Sequence, residues 1–176
     1  MRKMRFPPST KVLRLGIPVF LLIISAIALG SAYIAEYLYG LKPCTLCLYQ
    51  RIPFAIIGLL GVMAFLFEYY LSLAFVTGLA GLVLLSGAGI AIYHLGIEQY
   101  WWASAASCNV AGPDQILSMN QFKALLQQQP EASCQEITWN LFGISMATYN
   151  AVYSGFCGLV LIFITKWLRE PSNGKT

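Results

Sequence analysis

Residues 71–93 read LSLAFVTGLAGLVLLSGAGIAIY, 23 positions without one charged side chain. A helix rises about 1.5 Å per residue, so about 20 such residues cross a hydrocarbon core roughly 30 Å thick. Working outward from this run, residues 15–37, 48–67 and 142–166 have the same character. The composition agrees, with 58% hydrophobic and 10% charged residues where a soluble domain carries about a quarter charged. The expected fold is an all-α membrane protein, a four-helix transmembrane bundle forming one integral domain over residues 1–176. Glycines recur inside the spans, among them Gly58, Gly61, Gly81 and Gly158, and small residues let membrane helices approach closely.

Lysine and arginine beside membrane spans collect on the cytoplasmic side. Arg2, Lys3, Arg5, Lys11 and Arg14 precede the first run, and Lys166, Arg169 and Lys175 close or follow the fourth. Both termini are therefore expected in the cytoplasm, with loops 38–47 and 94–141 on the opposite face. The basic start and the small residues Gly30, Ser31 and Ala32 imitate a secretory signal. The apolar run exceeds the roughly 7–15 residues of a signal core, and three spans follow it, so it is expected to remain as a helix. The net charge of +4 reports topology, and no soluble basic patch interleaved with aromatics suggests nucleic acid.

The turn near residues 68–70 is short enough to make the second and third spans an antiparallel pair. The second outward loop is far longer, and loops of that length in compact domains usually carry function. Within it, residues 113–130 (PDQILSMNQFKALLQQQP) set Ile116, Met119, Phe122, Leu125 and Leu126 near one helical face. That segment is expected to be a short amphipathic helix, lying on the membrane surface or packed on the bundle's own loops.

The cysteines narrow the chemistry. Cys44 and Cys47 share the first outward loop, Cys108 and Cys134 the second, and Cys157 sits inside the fourth span. Disulfides form and persist on the oxidising side of a bacterial inner membrane. A C-x-x-C segment at the mouth of a helix gains thiolate character from free backbone N–H groups and the positive end of the dipole. Arg51, four residues after Cys47, adds positive charge on the same face once the helix has begun. Pro53 bears on where that is, since proline sits most comfortably in a first turn. Leu48 stands where c-type haem attachment needs histidine. Zinc completed by Cys108, Cys134 or His94, and a purely structural small-loop disulfide, stay open beside redox exchange. Cys108 and Cys134 alone read as an extracellular staple; beside a C-x-x-C on the same face they read as a relay by thiol–disulfide exchange.

The chain resembles the disulfide bond formation protein B (DsbB) family of bacterial inner-membrane thiol:quinone oxidoreductases. The resemblance rests on PCTLCLYQR after the first span, YHLGIEQ ending the third, the separated Cys108 and Cys134, and CQEITWNLFGISMATYN leading into the fourth. It implies that a reduced periplasmic DsbA-type thioredoxin-fold oxidase attacks Cys108, that Cys134 passes electrons to Cys44, and that Cys47 is released as a thiolate facing a quinone held by Arg51. The implied quinone is ubiquinone or menaquinone. No metal is implied. A paralogue dedicated to one specialised partner, and a non-catalytic disulfide-braced or metal-binding membrane scaffold, are the competing readings.

His94, the only histidine, is expected either to help protonate a reduced quinone or to sit at the interface bonded to backbone. Glu98 follows one turn later as a possible partner. Tyr100, Trp101 and Trp102 read as an aromatic belt, Cys157 as a small packing residue, and Glu36 as reaching the interface.

Overall fold

Four apolar runs become four helices: α1 (Pro8–Tyr37), α2 (Thr45–Leu66), α3 (Leu73–Glu98) and α4 (Met146–Arg169). The structure, a computed structural model, describes residues 8–67, 70–102, 134 and 140–169. All four helices are long and apolar enough to cross a membrane. Their outward faces stay apolar, with Leu59 62% exposed and Phe163 71% exposed. Soluble monomers rarely expose apolar surface on that scale, whereas lipid costs it nothing. The chain is therefore a multi-pass membrane protein.

The helices pack in sequence, α1 on α2, α2 on α3, and α3 most extensively on α4. Leu21, Ile57, Leu84 and Leu161 are wholly buried and share one core with Cys157, which therefore packs as the sequence suggests. Lipid tails are as apolar as leucine, so close approach and interhelical hydrogen bonds must hold such a bundle. Both occur between α3 and α4. A Cβ on Gly81 would stand 3.2 Å from the Gly158 carbonyl oxygen, and a Cβ on Gly158 would stand 3.2 Å from that of Gly81. Nearby, Thr165 Oγ1 donates to Thr77 Oγ1 at 2.9 Å, both residues buried.

The first helix starts earlier than the sequence reading, at Pro8, and two further shifted boundaries bear on the site. The third helix runs on to Glu98, because His94 and Glu98 are buried within the bundle. The fourth begins only at Met146, because Asn140–Leu141 and Ile144–Ser145 pair as an antiparallel hairpin. Phe142 (φ 53) and Gly143 (φ 79) make its two-residue turn, and positive φ at both central positions is what hairpin twist favours. Among the described residues the fold is thus four helices with a small β-hairpin. Ser145 then caps α4, its Oγ accepting from the Thr148 N–H at 3.3 Å.

Pro53 does not mark the start of regular helix. It lies inside α2, buried, and leaves the Tyr49 carbonyl without its usual intrahelical donor. The expected amphipathic helix at residues 113–130 and Cys108 lie outside the described residues.

Candidate active site

Cys44 is the N-cap of α2. Its extended backbone (φ −76, ψ 167) lets Sγ accept the Cys47 N–H at 3.3 Å, the position where a serine or aspartate oxygen usually satisfies an orphan donor. C-x-x-C spacing is the spacing from N-cap to third helical residue, so capping itself brings the sulfurs together. The Cys44 thiol donates to Cys47 Sγ across 2.9 Å. Both cysteines are free thiols, and a disulfide at about 2.05 Å needs only a small side-chain adjustment.

The hydrogen bond to Cys47, and then burial, push the Cys44 thiol up to about 12 from 9.0, against the opposing pull of His94. Cys44 therefore keeps its proton and offers it to Cys47. Cys134 is buried against this cap, in one cluster with Cys44 and Ile97. Its sulfur meets the Leu46 and Thr45 backbone N–H groups and the Cys44 thiol. Burial, only partly offset by the Leu46 N–H, pushes the Cys134 thiol up to about 11.

α3 supplies His94, whose Nε2 lies 3.5 Å from Cys44 Sγ. The ring is buried and bonded to side chains: Gln50 Nε2 is 3.0 Å from Nδ1, and Glu98 Oε1 is 3.8 Å from Nε2. Of the two expectations for His94, backbone bonding at the interface is replaced by burial in a polar cluster. The other Glu98 oxygen, Oε2, is buried without a hydrogen-bond partner. Trp101 and Trp102 are substantially exposed, and Trp102 Nε1 donates to the Tyr93 carbonyl at 3.0 Å.

Arg51 extends from α2 to α1, where its Nη1 meets Glu36 Oε2 at 2.6 Å and its guanidinium lies 5.1 Å from the Tyr33 ring centre. Glu36 is thus committed to Arg51. A cavity of about 650 Å³ opens here, lined by Cys44, Cys47, Arg51, His94 and Glu98 at one end and by Ile27, Leu29, Phe54 and Tyr153 along its walls. The structure brings together five of the six sequence-derived site residues, Cys44, Cys47, Cys134, Arg51 and His94. The sixth, Cys108, is not described.

Sequence reading missed Gln50, Asn150 and Ser154. Asn150 Nδ2 donates to Gln50 Oε1 at 2.6 Å, and Ser154 Oγ donates to Asn150 Oδ1 at 2.9 Å. A signal was present: polar side chains inside apolar spans usually face the bundle interior and mark function, and Asn150 and Ser154 share a helical face at i, i+4.

Among the described residues, Cys44, Cys47 and His94 form the one group whose ligand atoms lie within 4.8 Å of one another. Cys134 Sγ meets Cys44 beside them, so the cluster offers the thiol and imidazole donors that zinc uses as well as those of thiol–disulfide exchange. The arrangement is that of a membrane-embedded dithiol protein with a third cysteine poised against the pair. The profile of one family, "Disulfide bond formation protein DsbB", matches residues 14–164, and the chain belongs to the DsbB family. It is 34% identical over 158 residues to disulfide bond formation protein B of Pasteurella multocida (strain Pm70), covering 85% of this chain and 86% of the relative. An uncharacterized protein of Rickettsia prowazekii (strain Madrid E) is 33% identical over 160 residues, covering 88% of each chain. Disulfide bond formation protein B of Acinetobacter baylyi is 30% identical over 155 residues, covering 85% of this chain and 88% of the relative. No solved structure matches. Family membership and the clustered cysteines give the chain a disulfide-directed redox function.

Proposed function

We propose that this protein is a protein-disulfide:quinone oxidoreductase of a bacterial inner membrane, which oxidises a periplasmic DsbA-type thioredoxin-fold protein. The observation that carries this reading is the double exposure of one dithiol: Cys44 is touched by Cys134, while Cys47 lines a cavity with Arg51 and His94. Arg14 near the start of α1 and Lys166 and Arg169 at the end of α4 lie at the bundle end away from the dithiol. With basic residues cytoplasmic, both termini are cytoplasmic and the dithiol is periplasmic.

The partner's thiolate attacks Cys108 of a Cys108–Cys134 disulfide, forming a mixed disulfide and releasing Cys134 as a thiolate. The partner's second thiol then closes the partner's own disulfide and frees Cys108. Cys134 attacks Cys44 of the Cys44–Cys47 disulfide; the bond between Cys134 and Cys44 forms, that between Cys44 and Cys47 breaks, and Cys47 leaves as a thiolate. The short approach of Cys134 to Cys44 supports this exchange.

The cavity fits a quinone: it combines an apolar wall with a cationic side chain and a histidine. Arg51 would hold the ring beside Cys47, and His94, its two nitrogens engaged by Cys44 and Gln50, would line the site. A bound ubiquinone or menaquinone supplies an acceptor for the two electrons and two protons released as the chain's disulfides are restored.

The test is turnover of the purified protein in detergent with a reduced thioredoxin-fold partner and short-tailed ubiquinone or menaquinone analogues. Quinone reduction coupled one-to-one to partner oxidation is expected, with neither occurring in Cys47→Ser. Partner oxidation that proceeds without quinone consumption would reject the reading, and so would metal-dependent folding without turnover.

A further inference from the structure

Five hydrogen bonds join six buried or half-buried side chains from three helices in one line: Ser154, Asn150, Gln50, His94, Cys44 and Cys47. Their direction follows from one end. Because Cys44 gives its only proton to Cys47, it has none for His94, so His94 Nε2 must carry the hydrogen that meets Cys44 Sγ. A neutral imidazole with Nε2–H has a bare Nδ1, which then accepts from Gln50 Nε2 at 3.0 Å. That turns Gln50 Oε1 toward Asn150 Nδ2, and Asn150 Oδ1 toward the Ser154 hydroxyl. Every donor points the same way, and the line ends on the Cys47 sulfur. Ser154 is 1%, His94 3% and Gln50 6% exposed, while Asn150 and Cys47 are half-buried beside the cavity, so water is kept from the middle of the line.

We propose that Gln50, Asn150 and Ser154 are positioning residues that hold His94 as its Nε2–H tautomer, aimed at Cys44, so that the Cys44 proton stays directed at Cys47. Aligned hydrogen bonds in a low-dielectric interior polarise one another, and a chain of donors ending on a sulfur favours negative charge there. In the fully reduced dithiol a thiolate at Cys47 is thereby met by a preformed donor, the Cys44 thiol. Only the use made of that thiolate rests on the quinone-reductase reading; the tautomer does not.

The single histidine makes the test direct. Nitrogen-15 histidine labelling of the full-length reduced protein in detergent, at neutral pH, is expected to show the ring proton on Nε2 alone. Asn150→Asp keeps the shape but cannot donate, so Gln50 must turn its amide and present oxygen to the ring; the proton is expected to move to Nδ1. Alkylation of Cys47, read by peptide mass mapping, is expected to slow about tenfold, the scale of one lost hydrogen bond to a charged group. Gln50→Met, with no amide to direct the ring, is expected to give a mixture of tautomers.

The reversed line, with every donor turned round, uses the same distances and puts the wild-type proton on Nδ1. That spectrum, or one with protons on both nitrogens, overturns the proposal whether or not the variants fold. An Asn150→Asp protein that folds with an unmoved tautomer and unchanged Cys47 alkylation also overturns it. A protein that reduces no quinone yet shows Nε2–H would reject the proposed function and leave this inference standing.

Discussion

The Arg51 guanidinium on α2 is clasped by the Glu36 carboxylate on α1 at 2.6 Å, with the Tyr33 ring beneath it. The pair is only partly buried, at 17% and 25% side-chain exposure, so it adds on the order of 1 kcal/mol or less to stability. Its effect should fall on ligand binding. Arg51→His is expected to raise the apparent KM for quinone about tenfold, as loss of a charge-assisted hydrogen bond would, with a smaller change in kcat. Glu36→Gln leaves the charge but loosens its aim, and no more than about a fivefold rise is expected. Steady-state quinone titrations read both, and an unmoved KM in Arg51→His would remove that residue from the site.

Cys134 Sγ meets the Cys44 thiol, and both sulfurs of the dithiol line the cavity. Removing Cys47 should therefore redirect the bond that Cys44 makes. Oxidised Cys47→Ser protein is expected to hold a Cys44–Cys134 disulfide, found as a linked peptide pair by mass mapping, with turnover reduced to background. A free Cys44 in that variant, or one joined to Cys108, would contradict the exchange order.

Helix existence was legible in the sequence because hydropathy alone decides it when lipid is the solvent. Helix ends were not. His94 and Glu98 look like a helix leaving the membrane, yet both are buried inside α3, His94 held by Gln50 of α2 and Glu98 paired with His94. Leu141, Phe142 and Ile144 look like more span, and only the positive φ of Phe142 and Gly143 reveals the turn. The dithiol was legible because its chemistry is carried by spacing. The link between Gln50 and Asn150 was not, because it joins residues 100 positions apart and no local pattern records it.

Where α3 and α4 meet, backbones touch through Gly81 and Gly158. A Cβ on Gly158 would press on the Leu85 side chain at 3.0 Å as well as the Gly81 oxygen. Gly158→Val is expected to cost about 1–3 kcal/mol, the range for overpacked cores, and to lower the melting temperature in detergent. Gly155 is the internal control. A Cβ there meets only Ala88, at an ordinary 3.9 Å, so Gly155→Ala should melt within about a degree or two of wild type. An unchanged or raised melting temperature in Gly158→Val would mean that helix propensity, which favours either replacement of glycine, outweighs the contact.

The reduced and oxidised proteins should respond differently to alkali. In the folded dithiol form the Cys44 and Cys134 thiols are pushed up to about 12 and about 11 from 9.0, by the Cys47 hydrogen bond in the first case and by burial in the second. As pH rises above about 9, unfolded Cys44 and Cys134 thiols release protons that the same two keep when folded, and stability falls wherever the folded state binds more protons. The contribution is complete below about 9 and is lost as pH climbs through about 11 and 12. A Cys44–Cys47 disulfide has no such proton to lose. Melting temperatures taken in detergent across this window, with and without reductant, should therefore fall faster with pH for the reduced form. Other alkaline titrations act on both forms alike, so parallel curves would mean that the raised thiols do not couple to folding.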